Sequence, residues 1–337
     1  MSEDSRLVAL RHWLQAGFPD AEIELRPASA DASFRRYFRV SGLGPQTLIA
    51  MDAPPEQERL GPFIDVAGRL AAAGLRVPEV LRQDLRQGFL LLTDLGRQTF
   101  LEAFAHEDPA AMVESALPVL VRMQAATDPS GLPVYDQALL QRELSLFPDW
   151  YLARERGLSL SAREEKALAD WFDRLCERAL AQPRVFVHRD FMPRNLMVGG
   201  AEPGMEPGVI DFQDAVLGPV SYDPVCLYMD AFHSFPESTV TAGLGRYHEL
   251  ARAAGIPVPE ALDEFLRDAC WMGVQRHLKV IGIFARIAHR DGKPHYLSDV
   301  PRFFDYLERA ALFDRELRPL VELISPWRPP ASAEAAG

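Results

Sequence analysis

The stretch Val187-His188-Arg189-Asp190-Phe191-Met192-Pro193-Arg194-Asn195 has the order H-x-D-x-x-x-x-N, and sixteen residues later a short apolar run ends in Val209-Ile210-Asp211-Phe212. Few folds accommodate this pair. A loop, a strand, a turn and a second strand must bring an amide and a carboxylate together, with another carboxylate just upstream. The chemistry suited to that set is phosphoryl transfer from a nucleotide to a hydroxyl. An acceptor hydroxyl needs one carboxylate to orient it and take its proton, which is the role open to Asp190. A triphosphate travels with Mg²⁺, which prefers hard oxygen ligands, usually one or two from protein and the rest from phosphate and water. Asn195 and Asp211 are the candidate metal ligands. An isolated HxD is weak evidence, because it arises by chance; both motifs in this order and separation form a specific signal. His188 reads as an architectural imidazole bracing the loop. Asp223, before Pro224, reads as the cap of the following helix and a support of the catalytic loop.

With 337 residues the chain is long for one compact core, so two lobes are expected. Its composition is 48% hydrophobic and 25% charged, ordinary for globular protein. The net charge of −12 disfavours a nucleic-acid partner. The first residues are acidic where a secretion signal is basic, and no apolar run approaches the ~20 residues a membrane span needs. These features predict a cytoplasmic protein with no membrane association, expected to act as a monomer. Cys176, Cys226 and Cys270 lack metal-ligand spacing and read as buried small hydrophobes.

Leu7, Leu10 and Leu14 have helical spacing over 6–16. Strands are expected at 22–26, 34–40 and 47–51, then a helix at 58–73 ended by Gly74, then strands at 79–83 and 88–92. From Thr99 the pattern is mostly helical: 99–106, 109–125, 136–156, 162–181, 223–232, 236–254, 259–288 and 301–324, with short strands near 196–198 and 208–211. The expected fold class is α+β: a small β-rich lobe over 1–95, a larger helical lobe over 96–325 carrying the chemistry, and a disordered tail over 326–337. The connector Leu92–Gly96, with Thr93 and Asp94, is the natural place for a nucleotide base to meet backbone, with ATP between the lobes.

At these motifs, and at Gly218-Pro219-Val220-Ser221-Tyr222-Asp223-Pro224, the chain resembles the aminoglycoside phosphotransferase and choline-kinase-like superfamily, relatives of the protein kinases. The likeness covers roughly residues 20–290 and implies a bilobal protein-kinase-like fold with ATP and Mg²⁺ as cofactors. Within that superfamily Ser33–Val40, Ile49–Pro55, Phe147–Tyr151 and Gln275–Val280 look like the bacterial sugar kinases of cell-wall recycling. That likeness implies transfer to the anomeric hydroxyl of N-acetylmuramate and N-acetylglucosamine, small amino sugars. Kinases for other small alcohols, such as choline, homoserine or an aminoglycoside, are the alternative, as is a nucleotide-binding scaffold without turnover.

One departure matters. Related kinases carry a lysine on the third strand for the phosphates, whereas here that strand reads Thr47-Leu48-Ile49-Ala50-Met51-Asp52. Strand alternation puts Arg36, Phe38 and Val40 on one face and Arg35, Tyr37 and Arg39 on the other. If Val40 covers the adenine, Arg36 points toward the phosphates and replaces the lysine; otherwise Arg36 is a solvated strand residue. The small residues Ala28–Ser33 would let backbone N–H groups approach phosphate. For the acceptor, Trp150, with Phe147 and Tyr151, offers an aromatic face for a sugar ring, or belongs to the core. Arg276 and Lys279 head a locally basic stretch over 275–295, either a solvated helix face or an attractor for the lactyl carboxylate of an anionic sugar.

Overall fold

The computed structural model describes residues 4–29, 34–199 and 206–329. The chain forms two compact units, Met1–Ala103 with Arg194–Asp214, and Phe104–Pro193 with Ala215–Gly337.

The first unit is built on a five-stranded antiparallel sheet in the order β1-β2-β3-β5-β4. Its strands are β1 (Glu24–Ser29), β2 (Arg36–Ser41), β3 (Leu48–Asp52), β4 (Val80–Asp84) and β5 (Phe89–Thr93). Register pairs Arg36 with Asp52 and Val40 with Leu48, and β3 pairs Ile49 with Leu92 and Asp52 with Phe89. Helix α1 (Ser5–Gly17) opens on Asp4, whose carboxylate accepts the Leu7 N–H, and turns Leu10, Trp13 and Leu14 inward. These pack on Phe38, Val40, Ala50, Phe89 and Leu91, so that one sheet face becomes core. Helix α2 (Leu60–Ala72) buries Phe63, Val66 and Leu70.

Beyond β5 the unit runs through α3 (Phe100–Ala103), past the expected boundary at 95, and takes in the segment 194–214. The physical reason is hydrogen bonding: the Gln98 carbonyl accepts the Val198 N–H, and the Arg76 carbonyl accepts that of Val209.

The second unit is mostly helical. In order it contains α4 (Pro109–Ser115), α5 (Leu117–Ala126), α6 (Gln137–Leu144), a π-helix (Phe147–Glu155) and α7 (Ala162–Ala181). The helix expected over 136–156 is split because Pro148 has no N–H for the Leu144 carbonyl. Strand β6 (Arg184–Val187) follows; β7 (Leu196–Met197) and β8 (Gly208–Val209) belong to the first unit; β9 (Val216–Pro219) then pairs antiparallel with β6. The β6–β9 pair was not among the strands expected from sequence. A Cβ at Gly218 would sit 3.1 Å from the Tyr135 side chain, tighter than ordinary van der Waals contact.

After β9 come α8 (Tyr222–Tyr228), α9 (Glu237–Ala253), α10 (Leu262–Asp291), α11 (Val300–Phe313) and α12 (Arg318–Ile324). Helix α10 runs through the middle of this unit, with eighteen buried residues between Phe265 and Ala285. At Gly282 a Cβ would lie 2.3 Å from the Leu146 backbone, so α10 approaches the π-helix as closely as only glycine permits. All three cysteines are buried and free, as expected.

The tail does not begin at 326. Residues Ser325–Trp327 form a 3₁₀ turn, Trp327 is buried, and its carbonyl accepts the Tyr151 hydroxyl at 2.7 Å. Residues 330–337, and 30–33 of the small-residue loop, lie outside the described residues. Among the described residues no helix is long and apolar enough to cross a membrane.

Candidate active site

Strand β6 delivers the chain to a tightly held loop in the second unit. The fully buried Asp223 carboxylate accepts the N–H of His188 at 2.7 Å and that of Arg189 at 3.0 Å. Asp223 was expected to cap α8. It lies instead inside the first turn, behind Ser221, and its oxygens serve the loop. Arg189 adopts φ +78, a left-handed conformation that costs a side-chain-bearing residue energy and persists where surroundings enforce it. His188 is fully buried, and its Nδ1 accepts the Asp190 N–H at 3.2 Å. Asp190 itself is half-buried, held through its backbone on this loop.

Beneath the loop lies an enclosed charged cluster. Glu143, at the end of α6, accepts hydrogen bonds from Arg189 and from the Tyr135 hydroxyl, and pairs with Lys279 Nζ at 3.2 Å. Lys279 also donates to the Tyr222 hydroxyl at 2.9 Å. Burial disfavours the charge on Glu143, but Lys279, Arg189 and Tyr135 outweigh it and hold its pKa below the usual value. Arg276 is 1% exposed, donating to the Met229 carbonyl at 3.3 Å, and its charge is felt by Asp190 and Asp230.

These positions correct the acceptor reading. Arg276 and Lys279 do not present a cationic surface to a sugar carboxylate, because α10 carries them inside the unit. Further along the basic stretch, Arg290 is paired with Asp291, and His289 contacts Glu155 at 2.7 Å. Phe147 and Tyr151 are core, with rings stacked 5.4 Å apart. Trp150 is half-buried, and the Arg154 guanidinium lies 4.6 Å from its ring centroid.

In the first unit, Asn195 and Asp211 are brought together by the β7–β8 pair, which matches Leu196 with Val209. The Ile210 N–H donates to the Asn195 carbonyl at 3.1 Å, and Asn195 Nδ2 lies 3.4 Å from Asp211 Oδ2. Gln213 Nε2 donates to Asp211 Oδ1 at 2.8 Å, and Asp211 sits at φ +66. Asp211 lines a cavity of about 210 Å³ together with Tyr37, Arg39, Ile49, Leu92, Thr93 and Asp94, among others.

This cavity overturns the reading of Arg36 and Val40. Val40 is fully buried against α1, on the sheet face opposite the cavity. Arg36 shares that face and is bound to Asp4 and, at 2.5 Å, to Asp52, which Arg6 of α1 also grips. Neither residue reaches the cavity, because α1 occupies the face that was assigned to adenine. Thr93 and Asp94 do line it. Asp94 accepts from Arg39 at 2.6 Å, from Thr47 Oγ1 at 2.6 Å and from the Gly96 N–H at 3.0 Å, bonds that outweigh burial and lower its pKa.

Sequence reasoning missed Glu143, Tyr135 and Arg39 as parts of these assemblies. Glu143 stands in an amphipathic helix as an ordinary polar residue, and no local spacing marks it. Arg39 had a signal, its strand parity with Tyr37, once the cavity face is known.

The chain belongs to the phosphotransferase enzyme family, whose model matches residues 24–265. An N-acetylmuramate/N-acetylglucosamine kinase of Pseudomonas aeruginosa is 54% identical, covering 99% of this chain and 100% of that protein. A protein of the same name from Neisseria meningitidis is 45% identical, covering 95% of each. Among solved structures, an ADP-bound aminoglycoside phosphotransferase superposes with TM-score 0.59 at 15% identity, covering 90% of this chain and 98% of that one. A choline kinase of Streptococcus pneumoniae gives TM-score 0.62 at 11% identity, covering 91% and 99%. The fold is therefore protein-kinase-like, α+β, with the small sheet-based unit and the larger helical one expected.

Proposed function

We propose that this protein transfers the γ-phosphoryl group of ATP to the anomeric hydroxyl of N-acetylmuramate and N-acetylglucosamine, in the recycling of cell-wall sugars in the cytoplasm. The observation that carries this reading is near-full-length similarity to kinases of those two sugars, in a chain that retains Asp190 on a braced loop. Asp190 orients the sugar hydroxyl and accepts its proton as the oxygen bonds to the γ-phosphorus and ADP departs. Asp223 and His188 hold the loop so that the carboxylate arrives without reorganisation.

Asn195 and Asp211 suit Mg²⁺. They are neighbouring oxygen-bearing side chains beside a cavity, and Mg²⁺ characteristically takes one or two protein oxygens and leaves its other positions to phosphate and water. Bound there, Mg²⁺ would neutralise phosphate charge and align the donor. Asn195 would bind through its amide oxygen, and Gln213 would steady Asp211. Thr93 and Asp94, which line the cavity, are the candidate contacts for the nucleotide base, and half-buried Trp150 is the candidate aromatic contact for the sugar.

The test is ³¹P NMR of the protein with ATP, Mg²⁺ and each sugar. A sugar 1-phosphate signal, split by the anomeric proton, is the expected product. Phosphorylation at another position, or turnover only with choline, homoserine or an aminoglycoside, would overturn the assignment.

A further inference from the structure

A kinase-like site without a lysine on β3 must supply positive charge to the phosphates by other means, and the cavity face of β3 offers only Ile49 and Met51. We infer that Arg35, aimed by Glu58, is the residue that grips the nucleotide's phosphate oxygens; this rests on the nucleotide-dependent transfer proposed above.

Arg35 immediately precedes β2 and has the strand parity of Tyr37 and Arg39, both of which line the cavity. Its Nε and Nη2 donate to a single oxygen of Glu58, Oε2, at 3.1 and 2.9 Å. The planar guanidinium is thereby oriented by Glu58 along one edge. The pair is well enclosed, with side-chain exposures of 10% for Arg35 and 14% for Glu58. Burial works against the charge of Arg35, yet Tyr37, Glu58 and Asp211 more than compensate. Arg35 is thus electrostatically linked to the carboxylate proposed to hold Mg²⁺, which lines the cavity with Tyr37 and Arg39.

The sheet register supports the placement. Arg36 stands across from Asp52 and Phe89 at one end, while Val40 and Leu48 lead to Thr93 at the other. Arg35 therefore lies about five strand residues, or about 17 Å, from the connector end, a span suited to an extended nucleoside triphosphate. Other cations are placed differently. Arg39 is bonded to Asp94 and the Gly96 carbonyl and Arg76 donates to the Leu95 carbonyl, both at the connector end, Arg97 follows that connector, and Arg36 is on the far face. A guanidinium also matches phosphate geometry better than an ammonium, so the exchange of lysine for arginine is chemically sound.

The experiment is calorimetric binding of adenosine and of ATP with Mg²⁺ to the full chain and to Arg35→Met. The parent is expected to bind ATP more tightly than adenosine. Arg35→Met is expected to bind adenosine as the parent does and ATP about tenfold more weakly, the scale of a lost charge-assisted hydrogen bond. Arg35→Lys should recover part of that loss. Unchanged ATP affinity in Arg35→Met, or equal weakening of both ligands, would overturn the assignment while leaving the kinase reading intact. A parent that binds ATP no more tightly than adenosine would overturn both. Should Arg35→Met not fold, Glu58→Gln reads the same quantity: about threefold weaker ATP binding with adenosine unmoved is expected, and no change would overturn the role of the pair.

Discussion

The two units use charged residues in opposite ways. In the first, Arg39 and Asp94 line a cavity, where a ligand can meet the assembly they hold. In the second, Glu143, Lys279 and Arg276 are enclosed, and their contacts lead upward to the loop that carries Asp190. The difference teaches where function and stability separate. Charges beside a cavity tune binding and can be altered without unfolding. Enclosed charges are coupled to the fold, since leaving one partner unpaired in the interior is costly.

The comparison breaks most visibly at Asp190. Asp190→Asn should lower kcat by about a thousandfold, the scale of general-base catalysis, with an unchanged circular dichroism spectrum. Near-parental turnover would reject the base assignment. Next in size is Glu143→Gln, which leaves Arg189 and Lys279 without their shared carboxylate. Stability should fall by about 3 kcal/mol in denaturant titration, with kcat reduced in the folded fraction. A variant as stable as the parent would show that the enclosed cluster does not support the loop.

Asp223 sharpens the contrast through pH. Burial pushes its pKa up to about 7, against the two backbone N–H groups that favour its charge, and with Asp190 adding to the rise. The folded state thus retains a proton that the unfolded chain releases near pH 4. Stability from the neutral carboxyl is present at low pH and declines as pH rises through about 7. Asp223→Asn removes that decline, so its unfolding free energy relative to the parent should improve between pH 5 and pH 8. A pH-independent difference would place the Asp223 pKa outside that window. The smallest effect is expected for Arg36→Ala on the core-side face of the sheet. Asp52 keeps Arg6, so the loss should be about 1 kcal/mol with KM for ATP unchanged, as measured by thermal melts and initial rates.

Much of the site was legible because its chemistry is local. Asp190, Asn195 and Asp211 sit at the ends of short apolar segments, and the order of those segments already implies a loop and a hairpin. Asp223 was recognisable as a support, although not in the way it acts, because a carboxylate before proline looks the same whether it caps its own helix or serves a loop distant in sequence. Arg276 and Lys279 misled for a related reason. A run of basic residues reads as a solvated face until a neighbouring carboxylate such as Glu143 is known to await it.

From its sequence alone, this chain determined the two motifs, the order of the sheet-based and helical parts, and the period-2 division of β2 into an Arg36–Phe38–Val40 face and an Arg35–Tyr37–Arg39 face. Alternation fixes which residues share a face, since it follows from backbone geometry. It does not say which face is covered. That was decided by α1, whose Leu10, Trp13 and Leu14 seal Val40 into the core and leave Tyr37 and Arg39 to the cavity. The choice rests on contacts between segments far apart in the chain, and only the tertiary structure contains them.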